Sequence, residues 1–405
     1  MKIGIDLRPL QNGHKYRGIG EVAKQVTGRI LEYGKKDGVQ FCFFINSDSD
    51  PFDLLSIPKG LEYETVDLGL MPEGRTSSSS KEKIIRTYNQ LYGSPIANSH
   101  EVDVFLQYDY AAGVPRNTRT VLVKHDLIPY VFWDHFFESA WVPFKNRAAR
   151  TTLQTLFANR KFLRVLRRGL RNAHVIMAVS NSTKKDVEQY FRVNSEKVKV
   201  ARLGVDARPS KTGDHTDSVL MPTKPYLLFI GAGDERRRVD DLVAAYNMLK
   251  SQGHDIQLVL AGENFKSPES IPVPFVREAV MKSSYKRDIL TLGYISDEQK
   301  QELYKNAIAY VYPTLYEGFG IPILEAMLLN CPVVVYKNSS TGEVGGKHAT
   351  YADSWASIVE RVEDLIGEPV KARALRLEKA KQYAESFTWD QTARTIYDEL
   401  KVAGK

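Results

Sequence analysis

The chain has 405 residues, of which 43 % are hydrophobic and 26 % are charged. This composition is ordinary for a folded globular protein and excludes a disordered or fibrous chain, while the length predicts two or three domains. The net charge of +7 is uneven, because residues 1–205 carry 31 basic and 21 acidic side chains whereas residues 206–405 carry 25 and 28. This asymmetry predicts different partners for the two halves.

The two cysteines, Cys42 and Cys331, lie inside apolar runs. So few cysteines exclude a disulfide framework or a zinc cluster and favour a reducing compartment. The N-terminus lacks the long apolar core of a signal peptide, and no apolar run approaches the roughly 18 residues that span a bilayer. We expect a cytoplasmic protein, and peripheral contact with the inner face of the cell membrane stays open.

In the first half, strand-like runs alternate with helical or irregular stretches. The runs are Ile3–Leu7, Phe41–Ile45, Val102–Leu106, Thr120–Val123, Val175–Val179 and Val198–Ala201. This alternation is typical of a parallel sheet covered by helices on both faces. The serine-rich stretch Pro72–Ser80 predicts a mobile loop or a plain surface linker.

A polar stretch without periodicity, at 206–224, is the best domain boundary, and the alternation then resumes. The predicted strands are Tyr226–Ile230, Ile256–Ala261, Ile289–Leu292, Ile308–Tyr312 and Pro332–Tyr336, and the predicted helices are Val239–Lys250, Asp297–Asn306, Ile321–Leu329, Ser354–Ile366, Lys371–Ser386 and Asp390–Val402. We therefore predict an α/β fold of two doubly wound Rossmann-like domains, at 1–205 and 225–385, facing each other across a ligand cleft. The last helix, within 386–405, is expected to pack back towards the N-terminal domain.

The strongest chemical signal is the segment YPTLYEGFGIPILEAMLLNCP at 312–332. A strand ends near Tyr312, a glycine loop follows and a helix begins near Ile321, so backbone N–H groups would point at a bound anion or polyol. Glu317 lies in the loop, where it can accept hydrogen bonds from sugar hydroxyls, and Glu325 lies one turn inside the helix. The alternative is a purely structural role for this segment, with a helix-capping carboxylate beside a turn glycine.

The motif EGFGIPILEAM resembles that of the retaining glycosyltransferases of family 4, which have the GT-B fold. Further blocks agree in order along almost the whole chain: IGIDLRPL…RGIGEV at the start, VKHDLIP at 123–129, VIMAVSNSTKKDV at 175–187, FIGAGDERRRVDDLVAAY at 229–246, LGYISDEQKQELYKNA at 292–307 and SSTGEV at 339–344. The resemblance implies an N-terminal acceptor-binding domain and a C-terminal nucleotide-sugar-binding domain. It also implies transfer of a hexose or deoxyhexose from a nucleoside diphosphate sugar to a saccharide or lipid-linked acceptor, with no cofactor and no metal, in cell-surface polysaccharide assembly.

Arg236 and Arg237 lie where the family keeps an Arg–Lys pair, between a strand end and a helix start. Two cations beside a helix N-terminus would stabilise a leaving diphosphate without a metal. Here Arg237 replaces the family's usual Lys, and Arg238 replaces the Asn or Gly that follows. The charge is kept, but a planar fork replaces a point charge. A solvated basic turn is the alternative.

The resemblance assigns His125, Glu317, Arg236 and Arg237 to catalysis, with His125 contacting the donor sugar and bracing positive charge near the anomeric carbon. Donor binding is assigned to residues in loops that follow strands and to one residue in the helix after such a loop: Gly18, Gly20, Arg236, Arg237, Gly293, Tyr294, Ile295, Glu317, Gly318, Phe319 and Gly320, and in the helix Glu325. Of these, Glu325 is assigned to the ribose hydroxyls and the turn that begins at Gly293 to the base. A double displacement would need a carboxylate about 5 Å across the reacting centre, and the sequence nominates none.

The region 139–185 contains eleven Lys or Arg residues and no carboxylate. Four of its basic residues share one helical face: Arg164, Arg167, Arg168 and Arg171. Leucines occupy an adjacent face, and aromatic residues cluster just upstream at 132–144. A basic amphipathic helix of this kind is typical of an anionic membrane surface, where a lipid-linked acceptor would be delivered. The alternative is an ordinary domain helix packed by its leucines, with solvated arginines.

Other functions fit the sequence less well. A phosphorylase of the same fold would need a lysine that binds pyridoxal phosphate, and no sequence motif suggests one. Nucleotide-sugar epimerases lack the EGFGIPILE motif. The pI of about 9.0 suits nucleic acid, but no nucleic-acid-binding motif is present and the positive charge is confined to one half. The triplet Asp48-Ser49-Asp50 has too few residues before it to be the metal-binding motif of the other glycosyltransferase fold. A catalytically silent relative that acts as a membrane-associated scaffold remains as the alternative.

Overall fold

The computed structural model describes residues 1–11, 15, 18–46, 49–68, 102–108, 114–115, 117–131, 163–164, 166–206 and 221–405. The chain divides into two compact units, Met1–Gly204 together with Trp389–Lys405, and Val205–Thr388. Several predicted features lie outside the described residues: the loop Pro72–Ser80, the aromatic cluster at 132–144, Arg17, Asp48 and most of the stretch 206–224.

The N-terminal unit is built around a parallel sheet. Its described strands are β1 (Lys2–Asp6), β2 (Gln40–Ile45), β3 (Tyr63–Asp67), β4 (Val104–Tyr108), β5 (Arg119–Lys124), β6 (Val175–Ala178) and β7 (Val198–Val200). They lie in the order β3-β2-β1-β4-β5-β6-β7. Its described helices are α1 (Gly18–Lys36), α2 (Ile128–Val131), the helical residues 163–164 and 166–172, α3 (Asn181–Phe191) and, from the C-terminus, α11 (Trp389–Ala403).

The C-terminal unit contains a second parallel sheet. Its strands are β8 (Tyr226–Ile230), β9 (Gln257–Ala261), β10 (Ile289–Gly293), β11 (Ala309–Tyr312), β12 (Val333–Tyr336) and β13 (Thr350–Ala352). Its helices are α4 (Val239–Ser251), α5 (Pro274–Lys282), α6 (Asp297–Asn306), α7 (Ile321–Leu328), α8 (Thr341–Gly345), α9 (Trp355–Ile366) and α10 (Val370–Glu385). The strands lie in the order β10-β9-β8-β11-β12-β13. The chain order therefore runs one way from β8 to β10 and the other way from β11 to β13, so it reverses between β8 and β11. Ligands of doubly wound sheets bind outside the carboxyl ends of the strands at such a reversal.

The central strands of both sheets are buried along most of their length. Every residue of β4 and of β9 is buried. Strands that are covered on both faces read as continuous apolar runs, which is why the sequence pattern locates them. The structure therefore confirms the predicted α/β class with two parallel-sheet domains.

In the two sheets, the edge strands β3 and β13 have no counterpart among the predicted elements, and in the C-terminal unit neither do the helices α5 and α8. Strand β3 has a single buried residue, Val66, among five, and β13 has only three residues. Helix α5 buries only Val276 and Val280. Elements that bury so little carry no clear apolar period, so the pattern does not reveal them.

The C-terminal helix α11 belongs to the N-terminal unit, where it packs along α1. The Tyr33 hydroxyl donates a hydrogen bond to the Asp390 carboxylate, and the Arg394 guanidinium lies 3.7 Å from the centre of the Tyr33 ring. At the other end of α11, the Tyr397 hydroxyl donates to Asp37 Oδ2 at 2.9 Å. Aromatic and charged contacts along both helices thus tie the last helix to the first.

Gly262 lets two loops meet at the carboxyl edge of the second sheet. It follows β9 with a φ of 135°, and a Cβ at this position would lie 2.1 Å from the carbonyl oxygen of Gly231. Its N–H donates to the Gly293 carbonyl at 2.7 Å. The loop after β8, which begins at Gly231, therefore lies where it does only because residue 262 has no side chain.

We expect Gly262→Ala to lower the free energy of unfolding by about 2–4 kcal/mol, because the new methyl group adds a backbone clash to an unfavourable φ. Gly253→Ala is the matched control, since Gly253 also has a positive φ, 96°, but a Cβ there would meet no atom within 4 Å. We expect the control to cost only about 1 kcal/mol. Urea unfolding curves of the two variants measure the difference, and equal losses would contradict this packing.

Candidate functional site

Three loops lie side by side at the carboxyl edge of the second sheet. They follow β8, β11 and β12, which are neighbours in the sheet, and they cover residues 231–238, 313–320 and 337–341. Because carboxyl ends of parallel strands meet at one edge, side chains that are distant in sequence come together there. The structure places the guanidinium groups of Arg236 and Arg237 beside the carboxylate of Glu317.

Arg236 crosses from the first loop to the second. Its Nη1 donates to Glu317 Oε1 at 2.5 Å and to the Tyr316 carbonyl at 2.6 Å. The backbone adds a further link, since the Leu315 N–H donates to the Arg236 carbonyl at 2.7 Å. The Arg236 side chain is only 10 % exposed, so this cation is largely withdrawn from water.

Arg237 lies behind Arg236, against the end of β11. Its Nε is 3.4 Å from Glu317 Oε1, and its guanidinium lies 5.7 Å from the centre of the Tyr312 ring. A Cβ on Gly231 would lie 2.5 Å from Arg237 Nη1. The glycine at the end of β8 therefore leaves the space that this guanidinium fills.

Arg238 is not part of this cluster. It adopts the left-handed conformation, with a φ of 44°, and its Nη2 donates to Asp240 at 3.2 Å and to Asp241 at 2.8 Å. Gly and Asn adopt the left-handed backbone conformation most easily. These are the residue types that the resemblance places at this position. The third arginine of the triplet serves the start of α4.

All the polar contacts that described residues make with the Glu317 carboxylate end on one oxygen, Oε1. Hydrogen bonds come to it from Arg236, from the Tyr312 hydroxyl and, at 3.2 Å, from Thr314 Oγ1. The Glu317 side chain is 11 % exposed. One oxygen is therefore anchored to the protein, and Oε2 keeps its capacity to accept a hydrogen bond.

The charges of this cluster stabilise one another. Burial would raise the pKa of the Glu317 carboxyl, but Arg236, Arg237 and the Tyr312 hydroxyl outweigh burial and hold the pKa below its ordinary value. Burial would likewise lower the pKa of the Arg236 guanidinium, and the Glu317 carboxylate outweighs it. All three charged groups are ionised at neutral pH.

The loop after β12 holds the loop that carries Glu317. Ser340 is fully buried, and its one hydroxyl hydrogen is shared between the carbonyl oxygens of Glu317 and Phe319, which lie 2.8 and 2.7 Å from its Oγ. The Glu317 N–H donates to Ser339 Oγ at 2.9 Å. Gly320, with a φ of 107°, then turns the chain into α7. Two serines thus fix the backbone on either side of the predicted Glu-Gly-Phe-Gly segment.

Glu325 lies on α7 and pairs with α6 rather than with the arginines. Lys300 Nζ donates to Glu325 Oε1 at 3.0 Å, and the Tyr304 hydroxyl donates to Oε2 at 3.5 Å. Burial would lower the pKa of the Lys300 ammonium, but Glu325 and Asp297 outweigh burial and raise it. The glutamate that the resemblance assigns to ribose is thus held in place by an ion pair.

The other predicted donor-binding residues belong to other elements, the turn after β10 and, in the N-terminal unit, the start of α1. Gly293, with a φ of 64°, ends β10, which is separated from β8 by β9; Tyr294, 56 % exposed, and Ile295 follow it. Gly18 and Gly20 begin α1 in the N-terminal unit. His125, also in that unit, is buried just after β5, and its carbonyl accepts a hydrogen bond from Thr183 Oγ1 at 3.2 Å.

The four arginines of the predicted basic face are all exposed: Arg164, Arg167, Arg168 and Arg171. On the same helical segment, Leu170 is fully buried and Leu166 packs against its cluster. No described acidic side chain forms a salt bridge with these arginines. The leucines therefore pack as a domain helix would, while the arginine face is presented to solvent.

The described residues offer neither a metal-binding group nor a membrane span. Across them, no three His, Cys, Asp or Glu side chains come together in a way suited to a metal ion. Among the helices of those same residues, none combines the length and the apolar character that crossing a membrane requires.

Sequence reasoning missed several residues of the cluster. Tyr312, Thr314, Ser339 and Ser340 contact Glu317 or its backbone, and Asp234 lies 3.0 Å from Arg236 Nε. Tyr312 and Thr314 sit within the motif that the sequence singled out, yet hydroxyl residues at a strand end have no distinctive pattern. Asp234 is two residues before Arg236, in the loop at 231–238 that we call the arginine loop. An acidic residue so close to the arginines could have been predicted to pair with them.

We expect Glu317→Gln to lower the free energy of unfolding at pH 7 by about 3 kcal/mol, because two buried guanidinium groups lose the buried one of their two counter-charges. The folded-state pKa of Glu317 lies below the ordinary 4.5, so the stabilisation is present above that pH and is lost as the pH falls through the folded-state pKa. Urea unfolding at pH 7 and pH 3 should show a difference between wild type and variant that shrinks in acid. A difference that is the same at both pH values would contradict the ion-pair assignment.

Comparison with family models gives two matches that together cover most of the chain. Residues 211–385 match the model described as glycosyl transferases group 1, and residues 31–208 match the model described as glycosyltransferase family 4. The first match contains the arginine loop, Glu317 and Glu325. The two matches divide the chain near the boundary between the two compact units.

Individual relatives agree with these matches. The O-antigen chain mannosyltransferase B of Escherichia coli is 28 % identical over 244 residues, which cover 57 % of this chain and 61 % of that protein. The chain thus spans less than two thirds of that relative. Two solved structures share the fold: WaaG, a glycosyltransferase of lipopolysaccharide biosynthesis, with a TM-score of 0.64, 15 % identity and 99 % coverage of both chains, and Anabaena HepE in complex with UDP-glucose, with a TM-score of 0.64, 14 % identity and coverage of 99 % and 100 %.

Proposed function

Because the chain belongs to the glycosyltransferases of family 4, with the GT-B fold, we propose that it transfers a hexose or deoxyhexose from a nucleoside diphosphate sugar to a saccharide or lipid-linked acceptor. We propose further that the transfer retains the anomeric configuration, needs no metal and serves cell-surface polysaccharide assembly. The observation that carries the proposal is the cluster of Arg236, Arg237 and Glu317 at the strand-order reversal of the second sheet.

The two guanidinium groups suit a leaving diphosphate. When the bond between sugar and diphosphate breaks, negative charge grows on the phosphate oxygens, and fixed cations in a site screened from water stabilise that charge strongly. Arg236 and Arg237 are 10 % and 15 % exposed, and each guanidinium has five N–H donors, of which the described contacts use only some. Their planar forks match phosphate oxygens in pairs.

Glu317 suits the role of a sugar-binding carboxylate more than that of a nucleophile. Its Oε1 is occupied by Arg236, Tyr312 and Thr314, and ion pairing of this strength lowers the reactivity of a carboxylate. Its Oε2 keeps its capacity to accept a hydrogen bond from a sugar hydroxyl. The arrangement supports departure of the diphosphate and attack of the acceptor on one face, with the diphosphate oxygen taking the acceptor's proton.

The setting in polysaccharide assembly rests on the relatives and on one surface. The Escherichia coli relative is named an O-antigen chain mannosyltransferase, which supports a hexose donor and a growing saccharide acceptor. The exposed arginine face at 164–171 supports delivery of a lipid-linked acceptor at an anionic membrane.

The direct test is a binding panel of UDP, GDP, ADP and dTDP, with their sugars, in EDTA. We expect one nucleotide to raise the melting temperature, since a ligand at about 100 times its dissociation constant adds about 2.7 kcal/mol of stability. The matching donor should then be turned over in EDTA to a product whose anomeric configuration, read by NMR, is that of the donor. Inversion, or a strict need for divalent metal, would contradict the proposed mechanism.

Variants of the arginine loop locate the site in the same assay. Arg236→Gln combined with Arg237→Gln should weaken nucleoside diphosphate binding at least 100-fold, because both charge-assisted contacts to phosphate are lost. Arg238→Gln is the matched control, since Arg238 pairs with Asp240 and Asp241 instead. Normal nucleotide binding by the double variant would place the phosphate site elsewhere.

For the arginine face, we expect binding to vesicles that contain anionic lipid, with an affinity that falls as salt is added. Changing Arg164, Arg167, Arg168 and Arg171 to Gln should weaken this binding at least tenfold, since each basic residue contributes about 1 kcal/mol near such a surface. A control with the same net charge changes four exposed lysines elsewhere, Lys35, Lys36, Lys371 and Lys379. Sedimentation with vesicles measures both, and equal loss in the two variants would contradict a specific face.

A further inference from the structure

One carboxylate besides Glu317 contacts both arginines of the cluster. Asp234 Oδ1 lies 3.0 Å from Arg236 Nε, and Asp234 Oδ2 lies 3.5 Å from Arg237 Nε. Two guanidinium groups therefore face two carboxylates, and the cluster of these four side chains carries no net charge. An incoming diphosphate would meet a neutral site rather than a positive one.

The two carboxylates are held very differently. Glu317 is 11 % exposed and receives hydrogen bonds from Tyr312 and Thr314 as well as from Arg236. The Asp234 side chain as a whole is 42 % exposed, and its Oδ1, which is itself buried, accepts no hydrogen bond within the described part of the chain. Asp234 is near enough for attraction but lacks the alignment of a hydrogen bond. It is thus the partner that an anion displaces more easily.

We propose that Asp234 is a competing counter-ion, which occupies the guanidinium groups of Arg236 and Arg237 until a diphosphate displaces it. This inference rests on the proposed function, because it concerns the same phosphate site. Glu317 stays in place and keeps the arginines oriented, while Asp234 turns outward to solvent. The competition weakens the affinity for nucleoside diphosphate and so favours release of that product after transfer.

Calorimetric titration with the nucleoside diphosphate that the wild-type protein binds, in EDTA, tests the inference. We expect Asp234→Asn to bind it about five to ten times more tightly, because a partly exposed competing charge is removed. Added salt should narrow this gap, since it screens the exposed carboxylate. In turnover, product inhibition by the same nucleoside diphosphate should strengthen by a similar factor, whereas Asp234→Glu should stay near wild type.

Asp240→Asn is the matched control, since Asp240 lies in the same segment but pairs with Arg238. Its affinity for nucleoside diphosphate should be unchanged. Asp234→Ser serves as a second neutral variant, and melting temperatures establish that both variants fold. Unchanged or weaker binding by folded Asp234→Asn and Asp234→Ser would overturn the inference.

Inorganic pyrophosphate separates this inference from the proposed function. If the wild-type protein binds no nucleoside diphosphate, the proposed function fails, and the pyrophosphate titration then decides the role of Asp234 alone. Tighter pyrophosphate binding by Asp234→Asn supports the competing counter-ion. Equal pyrophosphate binding by wild type and variant rejects it.

Discussion

The two buried guanidinium groups of Arg236 and Arg237 need a counter-charge. The loops after β8, β11 and β12 are packed so that the Glu317 carboxylate supplies it. An unpaired buried charge costs several kcal/mol, so Arg236 and Arg237 can be this little exposed because carboxylates face them, above all the buried carboxylate of Glu317. The same pairing keeps the carboxylate ionised and turns one of its oxygens towards the protein. The proposed diphosphate site and the proposed site for a sugar hydroxyl thereby share a single interaction.

The topology of the sheet makes this interaction available. Strands β8 and β11 are distant in sequence but adjacent in the sheet, at the point where the strand order reverses. Small residues allow the loops to close on one another, since Gly231 makes room for Arg237 and Gly262 for the Gly231 carbonyl. Ser340 then anchors the backbone of the Glu317 loop. Conformation, packing and electrostatics therefore converge on the same few atoms.

Much of this organisation follows from the sequence, and the exceptions have physical causes. Apolar runs located the central strands because parallel strands are buried on both faces, whereas β3 and β13 at the sheet edges bury too little to show a period. The segment at 312–332 pointed to Glu317 and Glu325, but periodicity does not reveal that Glu325 pairs with Lys300. Tyr312 escaped notice because its importance lies in a contact between loops, which spacing along the chain does not encode, whereas Asp234 lies only two residues before Arg236 and could have been found from the sequence.

The most direct test of the proposed phosphate site is a structure of the protein with a nucleoside diphosphate bound in the presence of EDTA. We expect phosphate oxygens within hydrogen-bond distance of the Arg236 and Arg237 guanidinium groups, with Glu317 Oε1 still bound by Tyr312 and Arg236. We also expect that Asp234 has left both arginines. A diphosphate bound away from the loop after β8, with Asp234 still paired, would contradict the assignment of this cluster as the phosphate site.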